Sequence, residues 1–501
     1  MLKSAGVMAG VLALVTWAGM AHADVGQAGV VVREHTARLQ GAVYRYRTEA
    51  GHVPIRGTAT GDLRGRMFYT AYRVPVAAGA AARPVTYFFG GGPSQPGLGF
   101  NHRAFGPKSF DANLQLIDNP RSLLPVTDLV FVDAIGTGFS RPERVEYEAE
   151  FFNADGDARS LAEFVRVWHA QNATPETPVY LLGGSYGAWR VGMVTQMLSE
   201  MGRPVDGAIL LSGGILVGTK YLSENEITAY RVPSQAATAF HHGRLSPDVG
   251  GSQEAVIQAA TAWAKSEYIP ALDQVDTLPA ARREEIARAL SRFTGYPLAD
   301  IDRASLRITL SAFTGRLLAD QGIKLGWHDM RHPANAGARL SPREDRAIVD
   351  DIRRNLGFNS ELAYLGFETG YSPSTAEDYV PAGQRWGWNR GINTKVGTDD
   401  DLRSEPWIPR AMDLNPALRA FVGYGLFDGA NNCAANDAVL EHLEDKYSRN
   451  YTARCYWNGG HRIYGTDSEW ERLAADIVAF IRHLPADGDR QEQASSRRPM
   501  E

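Results

Sequence analysis

The chain has 501 residues, 44% of them hydrophobic, and a formal net charge of −5; this is ample material for a sizeable core and excludes a largely disordered protein. Arginine greatly outnumbers lysine, but no basic stripe with interleaved aromatics occurs, which argues against nucleic acid as a partner. There are two cysteines, no Cys-x-x-Cys and no His-Glu-x-x-His, so zinc is excluded and neither a metal nor an organic cofactor is implied.

Lys3, an apolar run over residues 5–18 and Ala21-His22-Ala23 read as a cleaved export signal over residues 1–23. A membrane anchor is the alternative, but the run falls short of the roughly 20 residues that cross a bilayer. The mature chain, from about Asp24, is expected to be soluble in the periplasm or outside the cell, with no membrane partner.

Residues 30–33, 37–46, 66–74 and 85–89 carry strand texture between glycine and polar turns. Residues 128–133 form a short apolar run bounded by charges, as in a parallel strand buried on both faces. A helix follows over 155–171, with Leu161, Phe164, Val165 and Trp168 on one face. Strand 179–182 then leads through a glycine-rich turn into a helix over 188–201, and 206–212 is another buried strand. From about 218 to 410 the texture becomes helical, as in 252–267 and 279–293, with loops at 385–390 and at Asp399-Asp400-Asp401. Strands return at 418–427 and 451–457. Thr466 and Glu469 form a candidate capping box at the start of a last helix over 469–483, and 485–501 reads as a disordered tail. Strands alternating with helices, interrupted by one helical block, predict an α/β fold. The expected layout is a first core part over 24–218, a helical cap over 219–410 and a second core part over 411–484.

The chemistry centres on Gly183-Gly184-Ser185-Tyr186-Gly187, set between strand and helix. Such a turn is tight enough to need glycine on both sides, and it lifts the serine hydroxyl above the sheet as a nucleophile. A serine needs a base held by a carboxylate, in chain order Ser, Asp/Glu, His. His461, after Gly459-Gly460, and Asp428, at the end of the strand over 418–427, are the candidates. His442, His483, Asp437 and Asp445 compete, but all four fall in helical stretches. Acyl transfer also needs donors aimed at the developing oxyanion. The Tyr186 N–H is one, and Gly90-Gly91-Gly92-Pro93, after strand 85–89, supplies the other unless it is a plain tight turn. In an oxidising compartment Cys433 and Cys455 could pair, which would tie the segment after Asp428 to the strand before His461; two buried free thiols are the alternative.

Together these residues resemble the serine carboxypeptidase family of α/β hydrolases, in its bacterial branch. The likeness runs through Gly91-Gly92-Pro93, Asp118-Asn119-Pro120 to Leu124, residues 128–133 with Gly136-Thr137-Gly138-Phe139-Ser140, Asp157-Ala158-Arg159-Ser160, Ser185-Tyr186-Gly187, the Asp428 loop and Gly460-His461. It covers most of both core segments and little of the cap. The resemblance implies an α/β-hydrolase fold, a mainly parallel sheet flanked by helices with an inserted cap. It further implies a Ser185–Asp428–His461 triad, an oxyanion hole at Gly92 and Tyr186, and substrate contacts at Gly91 and Asn432. Family carboxypeptidases grip the terminal carboxylate through an asparagine before Gly-Gly-Pro and two glutamates. Those places hold Gly90, Gly184 and Ala104 here.

The expected function is therefore an exported serine hydrolase that cleaves peptide bonds through an acyl-enzyme, with a peptide or acyl substrate. An esterase, acyltransferase or amino-end peptidase is the alternative, because the carboxylate grip is missing. A catalytically silent binding protein is the reading of a different class. Losing the glutamate pair also predicts a working range nearer neutral, and Arg103, Lys108 or Arg190 are the cations left to hold a carboxylate.

Overall fold

The computed structural model describes residues 29–77, 79–213, 221–334, 342–368, 382–387 and 406–483. The segment read as an export signal, the polar stretch 485–501, residues 388–390 and the acidic stretch at 399–401 lie outside them.

Among the described residues the strands are β1 (Val31–Leu39), β2 (Ala42–Arg56), β3 (Leu63–Arg73), β4 (Val85–Phe89), β5 (Lys108–Phe110), β6 (Leu116–Asp118), β7 (Asp128–Val132), β8 (Arg141–Pro142), β9 (Val179–Gly184), β10 (Gly207–Leu211), β11 (Arg419–Gly425) and β12 (Tyr451–Tyr456). The main sheet runs β1-β2-β3-β7-β4-β9-β10-β11-β12, with β8 on β3, while β5 and β6 pair separately. The pairings from β7 to β12 are parallel, whereas β1, β2 and β3 form an antiparallel extension. This is an α/β-hydrolase architecture.

The parallel strands alternate between two apolar layers, as a period of two requires. Val85, Tyr87, Phe89, Val130, Val132, Leu181 and Leu210 face one layer, where the helices Ala154–Asn172 and Tyr186–Glu200 pack. Phe88, Leu129, Phe131, Leu182 and Ile209 face the other, against the helix Asp467–Ile481. Trp168 is fully buried in the first layer, edge-on to Tyr87 and Tyr69.

Two sequence expectations are corrected here. Residues 37–46 are not one strand, because Gln40 and Gly41 both take positive φ (49° and 85°) and turn β1 into β2. Thr466 and Glu469 form no capping box: Thr466 makes no side-chain cap bond, and buried Glu469 accepts from the backbone N of Asn458 at 2.8 Å. Its Oε2 pairs with Arg472 of the same helix at 3.0 Å, so that carboxylate ties the loop leading to His461 to the body of the last helix rather than capping the helix start.

Between β10 and β11 the described chain is largely helical, and part of it has its own apolar cluster, built on Val256, Ile286, Leu290, Phe313 and Leu325. Other parts join the sheet's layers. Ile348, Val349 and Ile352 of the helix Pro342–Arg354 join the same apolar layer as Phe131 and Leu129, while Trp407 packs on the helix Tyr186–Glu200 at Gly192. Cys433 and Cys455 form a disulfide, their Cα atoms 5.5 Å apart, joining the helix Cys433–His442 to β12. Closing this loop restricts the unfolded chain, so the double variant Cys433→Ser/Cys455→Ser is expected to lose about 3 kcal/mol of unfolding free energy in a denaturant titration.

Candidate active site

Ser185 stands at the end of β9 with φ 57° and ψ −128°, a conformation that a non-glycine residue adopts only under constraint. The glycines on either side of it, Gly183 and Gly187, have no room for a side chain. A Cβ at Gly183 would lie 2.1 Å from the Gly187 carbonyl oxygen, and one at Gly187 would lie 2.3 Å from the Phe89 carbonyl oxygen. The Ser185 N–H donates to the Leu211 carbonyl at 2.8 Å, and the helix Tyr186–Glu200 starts at the next residue. Strand, elbow and helix are thus packed backbone to backbone at this turn.

The loop after β4 lies against this elbow. A Cβ at Gly91 would sit 2.7 Å from the Gly184 carbonyl oxygen and 3.1 Å from Ser185 Cβ, so only glycine permits the approach. Gly92 follows at φ +44°, in the left-handed region.

Asp428 is completely buried beyond β11. One carboxylate oxygen, Oδ1, accepts from the backbone N–H groups of Ala430 (2.9 Å) and Asn431 (3.3 Å). The other, Oδ2, accepts from Asn431 Nδ2 (2.8 Å) and meets His461 Nδ1 at 2.8 Å. In the neutral imidazole this contact favours the tautomer with its proton on Nδ1, in which Nε2 is the acceptor. Asn431, which the sequence reading did not single out, also bonds the Ser212 carbonyl at 3.0 Å, fastening the acid loop to the end of β10. Asn432 serves as a helix cap, its Oδ1 accepting from the Ala435 N–H at 2.8 Å.

Gly184, Leu211 and Gly423 are in register across β9, β10 and β11. The serine elbow and the acid loop therefore rise from the same sheet edge two strand spacings apart, about 10 Å. Beyond them, the His461 N–H donates to the His328 carbonyl at 2.5 Å, and the rings of Trp327 and His328 lie 5.1 and 5.4 Å from the imidazole. Trp327 and His328 belong to the helical segment, and nothing in their local sequence announces this contact. A cavity of about 940 Å³ opens beside this loop, lined by Gly460, Arg462, Trp327, His328, Tyr464 and Trp470 among others. The competing residues are elsewhere: Asp437 and His442 lie on the helix Cys433–His442, Asp445 starts the helix Asp445–Ser448, and His483 bonds Tyr180.

Burial, with His461 and Arg462 nearby, lowers the His328 imidazole to about 4 from the usual 6.5. Between those values the unfolded chain binds the extra proton, so stability falls as pH falls through this window. His328→Asn is expected to show a smaller drop in Tm between about pH 7 and 4.5 than the parent protein. Equal drops would refute this.

The three cations considered for carboxylate recognition are all engaged within the protein. Arg103 pairs with Glu344 (2.9 Å) and Asp345 (2.6 Å), Lys108 pairs with Asp118, and Arg190 pairs with Asp157 (2.7 Å). Nor is there space to restore the family's grip. A side chain at Gly90 would meet the Gln95 carbonyl oxygen at 2.3 Å, one at Gly184 would meet Phe100 at 2.9 Å, and Ala104 is fully buried. Among the described residues no group of three or more His, Cys, Asp or Glu side chains is arranged to hold a metal ion, and no helix is long and apolar enough to cross a membrane.

A family model described as serine carboxypeptidase matches residues 40–299. Among solved structures, the prohormone-processing carboxypeptidase Kex1Δp from Saccharomyces cerevisiae superposes with a TM-score of 0.50 at 13% identity, covering 87% of this chain and 91% of its own. A haloalkane dehalogenase variant from Bradyrhizobium elkanii matches with a TM-score of 0.39 at 13% identity, covering 89% and 99%. No curated protein matches by sequence.

Proposed function

The chain belongs to the serine carboxypeptidase family, and from that premise we propose that it is an exported serine hydrolase acting through Ser185, His461 and Asp428. The observation that carries this reading is the pairing of His461 Nδ1 with a fully buried Asp428, on the sheet edge that also holds the strained Ser185.

In the proposed reaction His461 Nε2 takes the proton of Ser185 Oγ as that oxygen attacks the acyl carbon. The backbone N–H groups of Gly92 and Tyr186 receive the oxyanion. When the tetrahedral intermediate collapses, His461 returns the proton to the leaving group and the acyl-enzyme remains. Water, activated by the same imidazole, releases the acid. Since the imidazole must reach the leaving atom, the cavity beside His461 is the natural side for the leaving group. The helical segment that supplies Trp327 and His328 acts as a cap over this side, and the protein works in the periplasm or beyond, where a disulfide persists.

The substrate is a peptide or acyl compound whose terminal carboxylate is not the main handle. Small residues at Gly90, Gly184 and Ala104, together with the engaged Arg103 and Arg190, support that specificity over strict exopeptidase action. An esterase or amino-end peptidase on the same machinery is the second reading that these positions favour.

A fluorophosphonate probe is expected to label the protein on the peptide containing Ser185, with labelling lost in Ser185→Ala. An unlabelled parent protein would overturn the enzymatic assignment. In a series of one blocked dipeptide as acid, amide and methyl ester, kcat/KM for acid and amide is expected to agree within about tenfold. A preference for the free acid above that, equivalent to more than about 1.4 kcal/mol, would return the protein to carboxypeptidase specificity. Activity on the best of these substrates is expected to persist above pH 6, since no carboxyl pair must stay protonated to bind it.

A further inference from the structure

Arg190 and Asp157 are buried at 1% and 2% exposure beneath the glycine loop, and neither makes a hydrogen bond to Ser185, His461 or Asp428. Removing such charges from water is unfavourable unless their donors and acceptors are matched. Here they are. Arg190 Nε and Nη2 form a fork on the two oxygens of Asp157 (2.7 and 3.1 Å), a geometry that lysine cannot reproduce. The remaining bonds run from Nη1 to the Gly90 carbonyl (2.8 Å) and from Nη2 to the Pro93 carbonyl (3.2 Å).

The carbonyls of Gly90 and Pro93 bracket the Gly91–Gly92 peptide, which carries the N–H assigned to the oxyanion. The second donor, Tyr186 N–H, begins the helix on which Arg190 lies one turn further on, and the guanidinium carbon is 5.1 Å from the Tyr186 ring centre. Asp157 comes from a third element, the helix Ala154–Asn172. One planar group therefore connects both donor-bearing segments and is itself held by a separate helix.

We propose that Arg190, oriented by Asp157, is the positioning residue of the oxyanion hole, setting the spacing between the Gly92 and Tyr186 donors. The proposal rests on the serine-hydrolase reading above. Loosening the clamp leaves the nucleophile and the base in place. It weakens bonds made only when the acyl oxygen becomes an anion, so it acts on turnover rather than on binding.

The test uses the full chain with Arg190→Met, Arg190→Lys and Asp157→Asn, an oxo ester and its thionoester. Sulfur carries the developing charge poorly matched to N–H donors, so the oxo/thiono rate ratio reports the hole, whereas partial unfolding lowers both rates alike. Arg190→Met is expected to lower kcat for the oxo ester about 10²-fold with KM within about threefold, and to shrink the oxo/thiono ratio about tenfold. Arg190→Lys is expected to lie between Met and the parent, and Asp157→Asn to follow in the same direction. If Arg190→Met does not fold, the Lys and Asn variants decide. An unchanged ratio in folded variants, whatever the rates, would show a purely structural pair and overturn the proposal with the hydrolase reading intact. Absence of fluorophosphonate labelling and turnover in the parent protein would instead remove the hydrolase reading, and this proposal with it.

Discussion

Asp428→Asn is expected to lower turnover about 10⁴-fold while the chain stays folded. The reason lies in the four contacts around the carboxylate. Two backbone N–H groups point at Oδ1, so the asparagine carbonyl must take that side and its NH2 must face Asn431 Nδ2 and His461 Nδ1. Donor would then meet donor. The imidazole escapes by moving its proton from Nδ1 to Nε2, which leaves no lone pair to receive the serine proton. Steady-state turnover of an activated ester, with a thermal melt to show a folded chain, checks this. Turnover within about tenfold of the parent would mean that another group orients the base.

Gly91→Ala is expected to lower kcat by about 10²–10³-fold, the loss that follows removal of an oxyanion donor. Its new methyl would stand 2.7 Å from the Gly184 carbonyl oxygen and 3.1 Å from Ser185 Cβ. The elbow cannot retreat, because Gly183 and Gly187 already pack on backbone atoms, so the loop must withdraw and take the Gly92 N–H with it. Gly92→Ala is the informative contrast. There the nearest neighbour would be Gln95 Cγ at 3.6 Å, and the backbone strain of a positive φ, about 1–2 kcal/mol, should appear in stability. Measuring kcat and Tm for both variants separates the two cases. A fully active Gly91→Ala would show that the loop does not receive the oxyanion.

Much of the candidate site's backbone geometry is legible in the sequence because its demands are local. A serine between glycines after an apolar strand is a backbone geometry written in consecutive residues. Apolar runs such as 85–89 and 128–133 correspond to β4 and β7 within a residue, since strands buried on both faces must be apolar throughout. Local signals also misled. Thr466 and Glu469 have capping-box spacing, but the glutamate is drawn to Asn458, and the Gln40-Gly41 turn was hidden in β-branched and aromatic residues on either side. Asn431 carries no sequence signal, because an amide three residues after an aspartate has no meaning until that aspartate is buried beside a histidine.

The order of residues alone dictates where the chain can turn tightly, which strands are wholly buried, and which residue types could supply nucleophile, base and acid. Backbone sterics and hydrophobic periodicity act over a few residues, and so they are visible in the primary structure. Which charges are engaged emerges only in the folded chain. Arg190 serves the glycine loop 97–100 residues away, Arg103 holds the helix Pro342–Arg354, and His328 closes over His461. Ion pairing and desolvation depend on distances between remote parts of the chain, which exist only after the sheet has assembled.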